Sequence, residues 1–321
     1  MHLTVYNAQG SREVTTPPNW DALLASTSDV IWLDIIGPHE DDIKLMRDVF
    51  HFHPLAIEDT RNQRQRPKVD EYDDHLFAIL NPVMQMDGEE IAFRELDVFV
   101  GRNYIVTVHP GAEPVIEEAR QRVGQTRMGM PITAGYILYV LTDLVVDRYF
   151  PILDSIGAEV EALEQSLLDK PTQELLTRLF LLKRMLAELW RVVGQQRDMF
   201  NVLSRRDLPY MDAETLQYQL RDVYDHLLRI TDMTGTYRDL LTSMVDLYMS
   251  SVSNRLNRVV NRLTVVTVIV GALAVITGFY GMNFETTWPP FAAEWGVPFV
   301  MLMMAAAVTL ILLLFRRLGW F

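Results

Sequence analysis

From Leu3 to about Pro110 the chain alternates short β-branched runs with turns and brief helical patterns. Val30-Ile31-Trp32-Leu33-Asp34-Ile35, His75-Leu76-Phe77-Ala78-Ile79-Leu80, Asp97-Val98-Phe99-Val100 and Tyr104-Ile105-Val106-Thr107-Val108 read as strands. Between them, Glu40 to Phe50 and Glu113 to Thr126 carry helical spacing, and each opens with acidic residues that suit the positive end of a helix. A sheet flanked by helices buries both apolar faces, so residues 1–130 are expected to form an α/β domain.

From about Ile132 the β-branched runs stop. Two long amphipathic helices are predicted, roughly Ala134 to Leu168 and Thr172 to Leu203, separated at Lys170-Pro171, where proline suits a first helical turn. Arg206-Asp207-Leu208-Pro209 is the next break. From Ala213 to Tyr280 there is no proline, and glycine occurs only at Gly235, Gly271 and Gly278, which predicts one helix of nearly seventy residues. At helical rise its length is on the order of 100 Å, too long for the core of a globular domain.

The last part of that helix is uncharged from Leu263 to Phe284, and a second uncharged run follows from Val297 to Phe315. Each is long enough to cross a hydrocarbon layer of about 30 Å. The expected division is a cytoplasmic helical region 131–262, a first membrane span 263–284, an external loop 285–296, a second span 297–315 and a basic tail 316–321. The loop holds Glu285 and Glu294 but no lysine or arginine, whereas Arg255, Arg258 and Arg262 precede the first span and Arg316 and Arg317 follow the second. By the positive-inside rule both termini are cytoplasmic.

One face of the long helix has its own pattern. Asp246, Ser250, Ser253, Asn257, Val260, Thr264, Thr267, Gly271, Ala274 and Gly278 recur at intervals of four and three, and nearly all are small or polar. That spacing marks the face of a helix that winds with copies of itself. A seam of large aliphatics would signal dry packing; this stripe fits either a face bordering water or the close approach of neighbouring helices. A pore would need a ring of subunits, since one such helix encloses nothing. Upstream, Asp225, Asp232 and Asp239 sit at seven-residue intervals leading into Asp246, so the same face is acidic farther from the membrane and would concentrate cations.

Composition narrows the classes. An apolar fraction of 49% with 22% charged residues suits a globular body with a modest membrane portion. The formal net charge of −13 argues against nucleic acid as a partner. No cysteine is present, which excludes disulfides and thiolate metal sites. The opening Met1-His2-Leu3-Thr4-Val5-Tyr6 lacks the basic start and apolar core of a secretory signal, so the first segment is expected to stay in the cytoplasm.

At the outer end of the first span stands Tyr280-Gly281-Met282-Asn283, followed by Phe284-Glu285. In that context the tripeptide resembles the signature of the CorA family of magnesium and cobalt transporters. Gln65-Arg66-Pro67-Lys68-Val69, Arg221-Asp222-Val223-Tyr224-Asp225-His226 and Ser250-Ser251-Val252-Ser253-Asn254 are also similar to family sequence, so the resemblance covers essentially the whole chain. It implies a homopentamer with a funnel-shaped cytoplasmic domain, lying in the cell (inner) membrane, with the first span lining a pore and the second outside it.

The same resemblance implies a selectivity filter of Gly281, Met282, Asn283 and Glu285, and a pore lined by Asn257, Val260, Leu263, Thr264, Thr267, Gly271, Ala274 and Gly278. Leu263 would be the inner hydrophobic constriction; contact with lipid or another helix is the plain alternative for it. Mg²⁺ holds its octahedral water shell tightly, so the site should pass the hydrated ion. Asn283 side-chain oxygens and Gly281 carbonyls can accept hydrogen bonds from those waters without a charge that would trap the ion, and Glu285 would draw cations to the mouth. Asp222 is assigned to a regulatory Mg²⁺ site between subunits, with Asp87 as its partner. The chain departs from familiar members at Val260 and Gly271, where methionine often occurs, at Ala272 for proline and at Ala274 for threonine.

Other classes remain. A zinc transporter of the same superfamily is the nearest, although that branch usually alters the tripeptide. A membrane-anchored metal-dependent enzyme would draw on His51 and His53 near Glu58 and Asp59, but no metalloprotease helix, phosphate loop or nucleophile elbow accompanies them, and they read equally as polar residues of a helix start. A structural anchor would use the stripe only for packing.

Overall fold

The computed structural model describes residues 1–15, 18–85, 91–126, 132–169, 171–205, 213–282, 288–290 and 294–320. In chain order the elements are β1 (His2–Asn7), β2 (Gly10–Glu13), α1 (Trp20–Leu24), β3 (Val30–Ile36), α2 (Glu40–Asp48), α3 (Pro54–Asn62), β4 (Lys68–Glu71), β5 (Leu76–Leu80), β6 (Val83–Gln85), β7 (Ile91–Phe93), β8 (Leu96–Val100) and β9 (Tyr104–His109). Helices α4 (Pro114–Gly124), α5 (Ala134–Asp147), α6 (Tyr149–Asp169), α7 (Gln173–Leu203), α8 (Ala213–Tyr280) and α9 (Gly296–Arg317) follow. They form two compact units, Met1–Met244 and Val245–Phe321, and α8 contributes residues to both.

The first unit is built on a seven-stranded sheet in the order β2-β1-β3-β9-β8-β5-β4. β3 and β9 pair parallel, with Leu33 opposite Val106, and the other neighbours pair antiparallel. The central strands are continuous apolar runs, buried along nearly their whole length, as strands covered on both faces must be. One core cluster joins Ile43 and Met46 of α2, Phe50, Phe52 and Ala56 to Leu33, Ile35, Phe77, Phe99 and Val108 of the sheet. α5 lies against β3, β8 and β9, and α4 packs on α5. The helix ends follow their sequence: Asn19, His53, Glu113, Thr133 and Thr172 each accept a backbone N–H of the first turn.

One long pattern resolves into two elements. The predicted helix from Ala134 to Leu168 is broken at Arg148 into α5 and α6. Pro151 explains the break: it has no N–H to give to the carbonyl of Asp147, and its ring crowds that carbonyl. By contrast the predicted Ala213 to Tyr280 helix is continuous, with the same bounds, as α8.

The buried charge of Asp34 in the sheet is paired. Asp34, on β3, accepts from Thr107 Oγ1 at 2.5 Å and lies 3.1 Å from His109 Nε2, and its other oxygen accepts from Arg120 at 3.0 Å. His109 Nδ1 faces the Gly111 carbonyl at 2.5 Å. Both ring nitrogens therefore face acceptors, so the imidazole holds both protons. Burial alone would raise the Asp34 carboxyl, but the hydrogen bond and charge of His109, with Thr107 and Arg120, outweigh it and hold the pKa low. Burial works against the His109 cation, and Asp34 and the Gly111 carbonyl outweigh it, so that pKa is raised.

Gln65-Arg66-Pro67-Lys68-Val69 also has a structural use. Lys68 Nζ bridges Asp59 at 2.7 Å and Asp70 at 2.5 Å, tying α3 to β4. Just before it, Gln63 and Arg64 take positive φ of 42° and 77°, which lets Gln65 donate its N–H to the Glu95 carboxylate at 2.5 Å.

The Asp34 pair predicts a pH window. The carboxylate contributes fully above the ordinary Asp range and is lost as pH falls through its lowered value; the imidazolium contributes fully below about 6.5 and is lost as pH rises through its raised value. Thermal unfolding of the detergent-solubilised chain should therefore peak between about pH 4 and 6.5 for this pair. Asp34→Ala should lower stability by about 3–5 kcal/mol, because it leaves the His109 cation buried and alone.

Candidate pore and cation sites

In the second unit α8 and α9 are long and apolar enough to cross a membrane, and only 6% of each spanning window is buried within the chain. Val265 and Phe315 are buried there, but Val266, Val270, Val275, Met301, Leu302 and Leu310 are exposed. Such surface belongs against lipid or against copies of the chain.

Along α8, Asn257, Val260, Leu263, Thr267, Gly271, Ala274 and Gly278 are exposed and Thr264 is half-buried. A Cβ added at Gly271 or Gly278 would meet nothing within 4 Å. The two threonines donate their hydroxyl protons up their own helix, Thr264 to the Val260 carbonyl and Thr267 to the Leu263 carbonyl, both at 2.9 Å. With the proton committed, each oxygen offers only lone pairs outward. At these two positions the helix can accept hydrogen bonds from water around a cation and donates none that would oppose it.

The helix stops at Tyr280 rather than running through the tripeptide. Gly281 N–H returns to the Thr277 carbonyl at 2.8 Å, and Met282 N–H reaches Phe279 at 3.3 Å in a tightened last turn. A Cβ on Gly281 would lie 3.0 Å from the Thr277 oxygen, tighter than a carbonyl and a methyl comfortably allow. The Tyr280 hydroxyl donates to the Trp288 carbonyl at 3.2 Å, linking the helix end to the segment beyond. Asn283 and Glu285 lie outside the described residues, as does Asp87.

In the first unit, a cation-type cluster forms around the family-like segment of α8. Asp143 and Asp147, one turn apart on α5, meet His226 so that one ligand atom of each lies within 4.8 Å of the others. Arg122 pairs with Asp143 at 2.7 Å, and His226 Nδ1 is 3.8 Å from Asp147, too far for a hydrogen bond. Burial raises the Asp147 carboxyl, the Asp143 charge adds to it, and Asp222 contributes in the same direction against His226 and Arg122. Asp222 itself is exposed, one helical turn before His226. The structure thus brings Asp222 toward a site that sequence reading missed. The signal was present as two i, i+4 pairs, Asp143 with Asp147 and Asp222 with His226, but nothing in the sequence alone joins them. His51 and His53 join no such cluster among the described residues, and His53 caps α3 with Nδ1.

Residues 27–317 match the family described as CorA-like Mg2+ transporter protein, and the chain belongs to that family. It is 32% identical over 98% of its length to the cobalt/magnesium transport protein CorA of Thermotoga maritima, covering 90% of that protein. It is 34% identical over 90% of its length to the putative metal ion transporter YfjQ of Bacillus subtilis, covering 89% of it. The fold matches the complete structure of the CorA magnesium transporter from Methanocaldococcus jannaschii with a TM-score of 0.84, covering 100% of this chain and 99% of that one at 23% identity. The family transports Mg²⁺ across membranes, and its members are named as transporters, not enzymes.

Burial of the Asp147 carboxyl, with the like charge of Asp143 beside it, predicts a linked response. Asp147→Asn should raise the thermal midpoint in chelator at neutral pH, where the ionised carboxylate is disfavoured. Added Mg²⁺ should then stabilise the native chain more than the variant.

Proposed function

We propose that this chain is a channel for hydrated Mg²⁺, accepting Co²⁺ and Ni²⁺ as well, in which copies of α8 surround a path along the stripe from Asn257 to Gly278. Five copies are the number that the family resemblance implies, in a cell (inner) membrane with both termini cytoplasmic. The observation that carries this reading is the stripe of mostly small or polar residues, with the Thr264 and Thr267 hydroxyls left as acceptors, on a helix with almost no buried span surface. Val260, Leu263, Thr264, Thr267, Gly271 and Ala274 line the path, with Leu263 its inner constriction. Gly281, Met282, Asn283 and Glu285 form the outer filter. Residues 1–262 are cytoplasmic, 263–284 and 297–315 span the bilayer, and 285–296 face outside.

Uptake follows the membrane potential, since a divalent ion moving inward gains about 4.6 kcal/mol per 100 mV, twice the single-charge value. Internal Mg²⁺ closes the pore through Asp222 and Asp87. The acidic environment of Asp222, with Asp143 and Asp147 nearby, supports a cation there: removing it would leave like charges facing each other. A zinc reading has less behind it, because a relative that matches over 98% of the chain is named for cobalt and magnesium and Asn283 stands unaltered.

The test is Mg²⁺ entry into liposomes holding the purified chain and an indicator dye under an inside-negative potential. The native chain should pass Mg²⁺, Asn283→Ala should lose at least about 90% of the flux, roughly the 1.4 kcal/mol of one hydrogen-bonded step, and Gly281→Ala should also reduce it. Silence in the native chain with internal Mg²⁺ depleted, while Zn²⁺ enters, would overturn the reading.

A further inference from the structure

Three arginines on α8 stand apart from the stripe. Arg255, Arg258 and Arg262 recur at intervals of three and four, are all exposed, and make no ion pair or hydrogen bond among the described residues. At about 100° of rotation per residue they share one face, and that face lies roughly 180° around the helix from Ser253, Asn257, Val260 and Thr264. The helix thus turns its acceptors one way and its cations the opposite way. A guanidinium row on the stripe would repel a divalent ion; on the far side it does not meet one.

The far face has no carboxylate of its own to satisfy it. Along α8 the nearest acidic residue before the arginines is Asp246, on the stripe side, and none follows before Glu285. Arg262 directly precedes the apolar run, and Arg255 lies about 10 Å farther from it along the axis. The polar layer on each side of the hydrocarbon is roughly 5–8 Å deep, so the three guanidinium groups, on flexible stems, sample that layer through its full depth. Arg316 and Arg317, exposed at the end of α9, emerge at the same side of a bilayer crossed twice.

We propose that Arg255, Arg258 and Arg262, supported by Arg316 and Arg317, form a binding surface for the phosphates of anionic phospholipids. The inference rests on the reading that α8 and α9 span the bilayer. Charge complementarity selects the occupant: a lipid leaflet supplies phosphates at the depth these side chains reach, and guanidinium takes a phosphate with two parallel hydrogen bonds. Lipid bound there contacts the helix on the side away from the cation path and fixes its depth.

The test uses the full chain reconstituted in phosphatidylcholine vesicles with one-fifth phosphatidylglycerol, then extracted and weighed by native mass spectrometry to count retained lipids. Phosphatidylglycerol should be enriched over phosphatidylcholine at least about fivefold relative to the vesicle mixture. R255Q/R258Q/R262Q should bring the enrichment to within about twofold, and R255K/R258K/R262K, which keeps the charge, should retain most of it. If the glutamine variant is not recovered in membranes, R258Q alone should still lower the enrichment. Equal retention of the two lipids by the native chain, or enrichment unchanged in the glutamine variant, would overturn the proposal and give the arginines to a protein surface. Mg²⁺ entry measured on the same vesicles separates the two ideas: flux without lipid preference ends this inference alone, and preference without flux ends the channel reading alone.

Discussion

A backbone amide or carbonyl left unpaired in hydrocarbon costs several kcal/mol, so a chain crosses a bilayer as helix or closed barrel, with its backbone groups paired internally. That constraint orders the second unit. α8 holds its hydrogen bonds to Tyr280 without a proline, and even Thr264, Thr267 and Thr277 turn their hydroxyl protons back to the helix carbonyls. What it cannot do alone is cover its side chains. With 6% of each spanning window buried, the exposed surface of α8 and α9 needs lipid or other copies of the chain against it. A single α8 presents the stripe but encloses nothing.

The soluble unit shows the same rule of polar satisfaction with two outcomes. Around Asp34 each carboxylate oxygen has a donor, His109 and Arg120 supply charge, and the arrangement is closed. Such a network stabilises one packing of the sheet. Around Asp147 the balance is unmet: Asp143 and Asp222 add negative charge, Arg122 is committed to Asp143, and His226 stays 3.8 Å away. Incomplete satisfaction of that kind is what a divalent cation can correct. The contrast separates a closed structural ion pair from an open cluster of like charge.

Legibility in the sequence followed the range of the interactions. α8 was readable to its bounds because helix propensity, the absence of proline and the long apolar end all act locally. β3, β5, β8 and β9 were readable because buried strands are dense in β-branched and aromatic residues. β1, β2 and β4 were not named, being short edge or near-edge strands whose pairing is decided by distant partners. The break at Arg148 was missed although Pro151 stood in view, because the apolar pattern continues across it. The end of α8 just before Gly281-Met282 was legible from the end of the apolar run. The Asp143, Asp147 and His226 cluster was not, since it joins helices about 80 residues apart in the chain.

In the proposed channel, the stripe within the spanning part of α8 borders water and the opposite face does not. Because the chain contains no cysteine, single cysteines can be placed without background. The most direct measurement is the reaction of a charged, membrane-impermeant thiol reagent with Thr264→Cys, Thr267→Cys and Ala274→Cys, set against Val266→Cys and Ile269→Cys, in liposomes carrying Mg²⁺ flux. The account predicts fast modification and loss of flux at the three stripe positions and little reaction at Val266 and Ile269. Reaction at Val266 and Ile269 with silence along the stripe would place water on the wrong side of the helix and contradict it.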